Sequence, residues 1–319
     1  MARVVVVGSY NQDHVWTTDA LPAPGATRLG RYASGPGGKG FNQAVASARV
    51  GAPTTFITAL GEDAAADAAR ALATDDGIAL RAEIHPALPS GTAGIFVDGD
   101  GRNVIVVAPG ANEALSVDFI AGQPDAFAQA AVVLAQLEVQ AGAVLAALQA
   151  GRQAGATTML NPAPANAPTS DALLAAADIL TPNETEFVAM LARHARRDVA
   201  ADSLADMPAP ALHALCRQLA PAATLVITLG AGGVFVSHRD GGDRGDKETF
   251  YRLPCSPAKV LDTTGAGDAF NGALAARLAD AAPGTAFRDA VAFANTYAGW
   301  STELAGGAAS MRRLHGVTP

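Results

Sequence analysis

Apolar positions along this chain follow two alternating periods. Short β-rich runs, VVVVGS (4–9), TTFITALG (54–61), VVLAQLE (132–138) and TTMLNPAP (157–164), predict strands. Alanine-rich stretches with helical spacing fall between them: KGFNQAVASARVG (39–51) with its terminal glycine stop, a run near 62–75, and GAVLAALQAG (142–151). DILTPNETE (178–186) predicts a short strand turning into a helix, and TLVITLGAGGVFV (224–236) a strand pair around a glycine turn. GAGDAFNGALAARLAD (265–280) and FRDAVAFANTYAGWSTEL (287–304) predict the last two helices. This alternation predicts an α/β fold whose mainly parallel sheet is covered on both faces.

Two segments break the pattern. Residues 12–35 hold short alternating runs and turn residues, and GTAGIFVDGDGRNVIVVA (91–108) reads as two strands around DGDG. Both predict a small sheet standing off the main body. No internal repeat and no long linker interrupts the chain, so residues 1–319 are expected to form one domain.

Composition narrows the function classes. Of 319 residues, 50% are hydrophobic and 16% charged, which suits a packed soluble core. The net charge of −8, with scattered Lys and Arg, argues against a nucleic-acid binder, which needs a basic face. Cys216 and Cys255 make neither a disulfide framework nor a metal spacing, so a reduced, cytoplasmic setting is expected. The opening apolar run is too short for a signal peptide, and no stretch approaches a membrane span.

The chemistry should lie in loops at the carboxyl ends of the strands, where open parallel sheets bind ligands. GPGGKGFNQ (35–43) is not a Walker A loop: Gly40 stands where Ser or Thr belongs and Ala33 where the first glycine belongs. Its glycines before Lys39 still suit close backbone approach to a ligand, or equally a tight turn with a solvated lysine. TPNETE (181–186) puts Asn183 and Glu186 on one face of a helix start, an arrangement that acidic first-turn residues produce commonly. TLGAGG (228–233) is either a hairpin turn or a nucleotide-edge loop. In DTTGAGDAFNG (262–272), small residues open a helix whose first N–H groups suit an anion, with Asp268 in the same turn. An acid there is stabilised by the helix dipole, and it can also accept a proton from an attacking hydroxyl.

These loops, in this order, resemble the ribokinase family of PfkB-type carbohydrate kinases. GGKG with NQA is similar to its first signature, DTTGAGD to its second, and NETE to its N-x-x-E motif; GTAGIFV, AGANEALS, QLE, NPAP and ITLG fit the same order over nearly the whole chain. The resemblance implies a three-layer ribokinase-like sandwich with a small β-sheet lid that often pairs between subunits, hence a homodimer. It implies ATP-dependent phosphorylation of D-ribose at O5, with a nucleoside or another sugar as the alternative acceptor. By the same resemblance, Asp268 is the base, and Gly265, Ala266 and Gly267 form the anion hole. Asn11, Asp13, Gly38, Lys39, Asn42 and Glu138 contact the sugar. Asn183 and Glu186 help place Mg²⁺ and the phosphates, and Thr228, Gly230, Ala231, Gly233, Gly267 and Asn295 follow the nucleotide. A K⁺ activator falls to Asp262, Thr264, Ser301, Leu304, Gly306 and Ser310, an all-oxygen set suited to a hard cation. Phe41 stands where the family more often has a small residue. It either packs in the helix or faces the sugar, where it would suit a nucleobase. Trp16 is expected in the lid, near the sugar's anomeric end.

Overall fold

A computed structural model describes residues 3–239, 242, 244–282 and 284–314. The chain opens with β1 (Arg3–Val7), a β2 (Asn11–Thr17) and β3 (Arg31–Gly37) hairpin, α1 (Lys39–Val50), β4 (Thr54–Leu60), α2 (Ala64–Asp75) and β5 (Ala79–Ile84). A second hairpin, β6 (Gly91–Val97) and β7 (Asn103–Ala108), precedes the short helices α3 (Val117–Ala121) and α4 (Pro124–Ala128). Then come β8 (Ala130–Ala135), α5 (Ala141–Gln153), β9 (Thr157–Leu160), α6 (Asp171–Ala176), β10 (Ile179–Leu180), α7 (Glu184–Met190) and α8 (Ala209–Leu219). The last elements are β11 (Thr224–Thr228), β12 (Val234–Ser237), β13 (Phe250–Leu253), α9 (Ala266–Ala279) and α10 (Phe287–Ser301).

The central sheet has nine strands in the order β13-β12-β11-β10-β9-β8-β1-β4-β5. It is parallel from β11 to β5, and β12 and β13 add an antiparallel edge. The uninterrupted valines of β1 follow from burial on both faces. Val4 and Val6 join the apolar layer under α1, α2, α9 and α10, while Val5 and Val7 join the layer with α5, α7 and α8. The result is the expected three-layer α/β sandwich. The alternation as read left out β5 and β13, which are partly exposed strands, and also α8, although Leu212, Leu215, Cys216 and Leu219 carry clear helical spacing there.

The two irregular segments form a separate four-stranded sheet, ordered β3-β2-β6-β7. Its hairpins are antiparallel, and β2 joins β6 in parallel. Alternation along β2 sends Asn11 and Asp13 to one face and His14 and Trp16 to the other. Trp16 stacks there on Phe96, with ring centroids 5.2 Å apart, and lies against Tyr32 at 5.3 Å. Trp16 is therefore not beside the sugar residues, contrary to the expectation, because a period of two separates it from them.

Candidate active site

Two helices position the site. Helix α1 starts at Gly38 with φ +87°, a conformation that favours glycine. No side chain within the helix caps it; instead Glu138, beyond β8, accepts from the Lys39 N–H at 3.1 Å and from Ser9 Oγ at 2.6 Å. Gly37 leaves room for Asp13, since a Cβ there would overlap its carboxylate. Helix α9 starts at Gly265, with φ +74° and no side-chain cap. The helices meet at Gly272, where a Cβ would stand 2.6 Å from that of Ala46 and 2.9 Å from the Ser47 nitrogen.

That close approach brings the α1 amides to Asp268. Asn42 Nδ2 donates to its Oδ2 at 3.0 Å and Gln43 Nε2 to its Oδ1 at 2.9 Å. Burial pushes the Asp268 carboxyl above the usual carboxylate range, against the pull of Lys39 and of these two amides. Burial also acts against the Lys39 ammonium, but Asp268, Glu138 and Glu186 outweigh it and raise its pKa. Asp13 is pushed up to about 7, first by burial and then by the charges of Glu138 and Asp268.

A cavity of about 150 Å³ opens over the start of α9, lined by Lys39, Asn183, Glu186, Thr228, Gly265, Ala266, Gly267 and Asp268 among others. The Ala266 N–H is turned to the Thr263 carbonyl at 3.2 Å. Among the described residues, the amides of Gly265 and Gly267 have no protein acceptor, whereas that of Ala266 is engaged. A Cβ at Gly267 would meet nothing within 4 Å, which leaves the space before it open.

Asn183 and Glu186 form a capping box: Asn183 Oδ1 accepts from the Glu186 N–H at 2.9 Å, and Glu186 Oε2 from the Asn183 N–H at 2.8 Å. The ordinary helix-start reading of NETE therefore holds, yet Glu186 is buried and lines the cavity. Burial raises its pKa against the Asn183 N–H and Lys39.

Of the residues expected along the nucleotide, Thr228 and Gly267 line the cavity, and Gly230, Ala231, Gly233 and Asn295 are not in its lining. Thr228 ends β11, and Gly230 to Gly232 form one 3-10 turn that includes Ala231. Gly233, at φ +82°, lies against the Leu253–Cys255 backbone. Asn295, on α10, donates to the Pro254 carbonyl at 2.7 Å.

The loop before α9 and the loop after α10 are stapled by Asp262, whose carboxylate accepts from the N–H groups of Thr264 (2.9 Å) and Gly306 (2.8 Å). Burial alone would raise its pKa; those two donors hold it below the usual range. Ser301 Oγ donates to Ala298 O and Ser310 Oγ to Gly307 O, leaving both hydroxyl oxygens as acceptors; Leu304 is 46% exposed. The donor set is oxygen throughout. Among the described residues no group of three or more His, Cys, Asp or Glu side chains is placed to hold a metal.

Phe41 is fully buried, edge-on to Tyr10 at 5.2 Å and near Phe56 at 5.6 Å. It packs in the core and does not face the cavity. Several site-forming residues were not singled out from the sequence. Asn112 bridges Tyr10 and Asn11, accepting from the Tyr10 N–H at 3.0 Å and donating to Asn11 Oδ1 at 2.9 Å. Gln43, Gln136, Asn161, Thr181 and Asn271 form a buried polar layer beneath Asp268. The available signal was amides inside apolar runs, as in VVLAQLE and DAFNG, which a core accepts only when they are hydrogen-bonded.

A nine-stranded, mainly parallel α/β sheet with a second small sheet at its ligand edge, an uncapped helix start and an adjacent buried carboxylate define a phosphoryl-transfer type of site. The model of the pfkB family of carbohydrate kinases matches residues 1–313, and the chain belongs to that family. It is 35% identical over 310 residues to a ribokinase of Haemophilus influenzae, covering 97% of this chain and 94% of that protein. It is 37% identical to a bifunctional ribokinase/ribose-5-phosphate isomerase A of Fructilactobacillus sanfranciscensis; that match takes in 87% of this chain and only 49% of the longer protein. The fold superposes on an Arabidopsis thaliana ribokinase complexed with ribose and ATP with a TM-score of 0.78, 28% identity, and coverage of 98% of this chain and 96% of that one.

Proposed function

We propose that this protein is a ribokinase that transfers the γ-phosphoryl group of ATP to O5 of D-ribose. The observation that carries the reading is the placement of Asp268: a buried carboxylate in the first turn of α9, beside the unengaged amides of Gly265 and Gly267 and the ammonium of Lys39. Asp268 takes the proton of the sugar hydroxyl as that oxygen bonds to the γ-phosphorus. The bond from the γ-phosphorus to the β,γ-bridging oxygen breaks, and ADP leaves. The Gly265 and Gly267 amides stabilise charge on the phosphoryl oxygens in transit. Asn11 and Asp13 from the lid, with Gly38, Lys39, Asn42 and Glu138 below, hold the sugar hydroxyls. The Thr228–Gly233 loop, with Ala231, and Asn295 hold the nucleotide.

Three carboxylates, Glu138, Glu186 and Asp268, act on one Lys39, and a fourth, Asp13, feels Glu138 and Asp268. This balance suits a divalent cation arriving with the phosphates, held by Asn183 and Glu186 through water; it would neutralise phosphate charge. The oxygen-only set of Asp262, Thr264, Ser301, Leu304, Gly306 and Ser310 fits a monovalent cation, which would fix the anion-binding loop electrostatically. Phe41 in the core and Trp16 on the far lid face remove the two features that suggested a nucleobase. The reading further takes the chain as one unit with lid segments 12–35 and 91–108, dimerising through the lid, where all of β7 is exposed although it reads NVIVVA. Among the described residues no helix is long and apolar enough to cross a membrane. The two free thiols suit a cytoplasmic site of action.

A coupled ADP-release assay over ribose, 2-deoxyribose, fructose, adenosine, inosine and uridine tests this. Ribose is expected to show the highest kcat/KM; preference for a nucleoside would overturn the reading.

A further inference from the structure

The polar layer beneath the site is continuous and almost wholly enclosed. Gln136, on the chain leaving β8, donates through Nε2 to Gln43 Oε1 at 2.5 Å. Gln43 Nε2 donates both to Asp268 Oδ1 at 2.9 Å and to Asn161 Oδ1 at 3.1 Å. Asn161 Nδ2 donates to the Thr181 carbonyl at 2.8 Å. Thr181 Oγ1 donates to Asn271 Oδ1 at 2.5 Å, and Asn271 Nδ2 returns to the Gly267 carbonyl at 2.8 Å. Gln43 and Gln136 have no solvent exposure, and Thr181 and Asn271 have 2% each.

Buried amides are retained at a cost unless each hydrogen bond is made, and an amide can be turned around by half a rotation. Here the turn is fixed. The Asp268 carboxylate and the Asn161 carbonyl can only accept, so Gln43 must turn its NH₂ to them and its carbonyl to Gln136, whose Nε2 meets it while Gln136 Oε1 stays without a protein partner. Asn161 takes the second proton of that NH₂ with its own carbonyl, because its NH₂ is committed to Thr181. Each member dictates the orientation of the next. The layer needs neither Gln43 nor Gln136 for apolar packing, since a side chain of the same length and no polarity fills the same space.

We propose that Gln43 is a positioning residue of phosphoryl transfer, whose amide, oriented by Gln136 and Asn161, aims the carboxylate of Asp268 at the substrate hydroxyl. The inference rests on Asp268 being the base. Donation to the ionised carboxylate favours that form, so the amide both aims the base and keeps it ready to accept a proton. Lys39, Asn42 and Glu138 act on Asp268 in the same way whatever stands at position 43. The chain continues through Thr181 and Asn271 to Gly267, so base and anion-binding loop share one support.

The test uses the full-length protein with ATP and ribose. Asp268→Asn comes first: near-complete loss of turnover sustains the base, whereas turnover within a few fold of the parent overturns both that reading and this inference. The near-isosteric Gln43→Met then removes the donor. The acid limb of the kcat–pH profile is expected to move up by about one pH unit, with about tenfold lower kcat on that limb, the size of one lost charge-assisted hydrogen bond. KM for ATP stays within about twofold of the parent value, since Gln43 bonds the carboxylate of Asp268 and not the nucleotide. Gln136→Met, which leaves Gln43 in place but takes away the donor that anchors its carbonyl, shifts the limb the same way by less. Should Gln43→Met fail to fold, Gln136→Met decides alone. A limb that stays in place in the folded variants, whatever the uniform loss of rate or Tm, overturns the inference and leaves Asp268 standing as the base.

Discussion

The floor of the site and its lid are built on opposite terms. The floor is two helices in close contact at Gly272, with both carboxylate oxygens of Asp268 paired by Asn42 and Gln43, while Asn42 Oδ1 and Gln136 Oε1 have no protein partner. The lid is a single layer of four strands whose outer strand β7 is exposed along its whole length and whose aromatic face, Trp16, Tyr32 and Phe96, is 36%, 57% and 36% exposed. The floor has the features of a region that holds reacting groups to fractions of an ångström, and the lid those of one that moves or is covered. Floor substitutions should therefore act on kcat, and lid substitutions on KM or assembly.

Asp268→Asn gives the largest expected effect, a fall in kcat of about 10²–10⁴ in the coupled assay, the usual range for removing a general base. Gly267→Ala comes next and separates chemistry from folding. Its Cβ meets no protein atom, so the Tm should hold while the methyl fills the anion position and kcat falls by at least about tenfold. An active Gly267→Ala would place the phosphoryl group elsewhere.

Gly272→Ala sets two effects against each other. Alanine gains about 1 kcal/mol of helix propensity, but the new methyl meets Ala46 and the α1 backbone, and overpacking of that kind costs about 1–3 kcal/mol. The backbone cannot turn aside as a side chain can, so the clash should win. A lower Tm by calorimetry together with a lower kcat is expected; a raised Tm would mean that the helices separate freely.

Asp13 links the two regions. Its carboxyl, raised to about 7 by burial and then by Glu138 and Asp268, favours the neutral form in the folded protein. Its ionised form therefore costs stability above the ordinary aspartate range, and that cost is relieved as pH falls through 7. Sugar hydroxyls donating to the carboxylate favour the charged form instead. KM for ribose is expected to rise several-fold as pH drops from 8 to 6, measured at saturating ATP; a flat profile would remove Asp13 from the sugar site.

Ile105→Arg on β7 has the smallest expected effect on chemistry. It should shift sedimentation toward the monomer and raise KM for ribose about two- to fivefold with kcat nearly unchanged, since a charge in an apolar interface acts on assembly. Unchanged sedimentation of a dimeric parent would move the interface off the lid.

The sandwich was largely legible because both periods are strong where burial is two-sided. The valines of β1 and the glycine stop of α1 at Gly51, φ +112°, are examples. The two segments that build the small sheet were legible for the opposite reason, as interruptions of the same pattern. The glycines of GPGGKG and DTTGAGD marked tight turns, and Gly38 and Gly265 indeed take positive φ, while a Cβ at Gly37 would overlap Asp13. Those features are local, fixed by steric demands over a few residues, and a sequence therefore determines them by itself.

What only the tertiary structure decided are relations between distant residues. Gln43 lies 225 positions from Asp268 and 93 from Gln136, and no spacing rule links them. The face that Phe41 and Trp16 present depends on which neighbouring element covers them. The engagement of Ala266 by Thr263, and the double use of Glu186 as helix cap and cavity wall, depend on the path of one loop and one turn. Hydrogen-bond partnership and burial are properties of assembled elements, so they appear only once the sheet has brought the strand ends, α1 and α9 together.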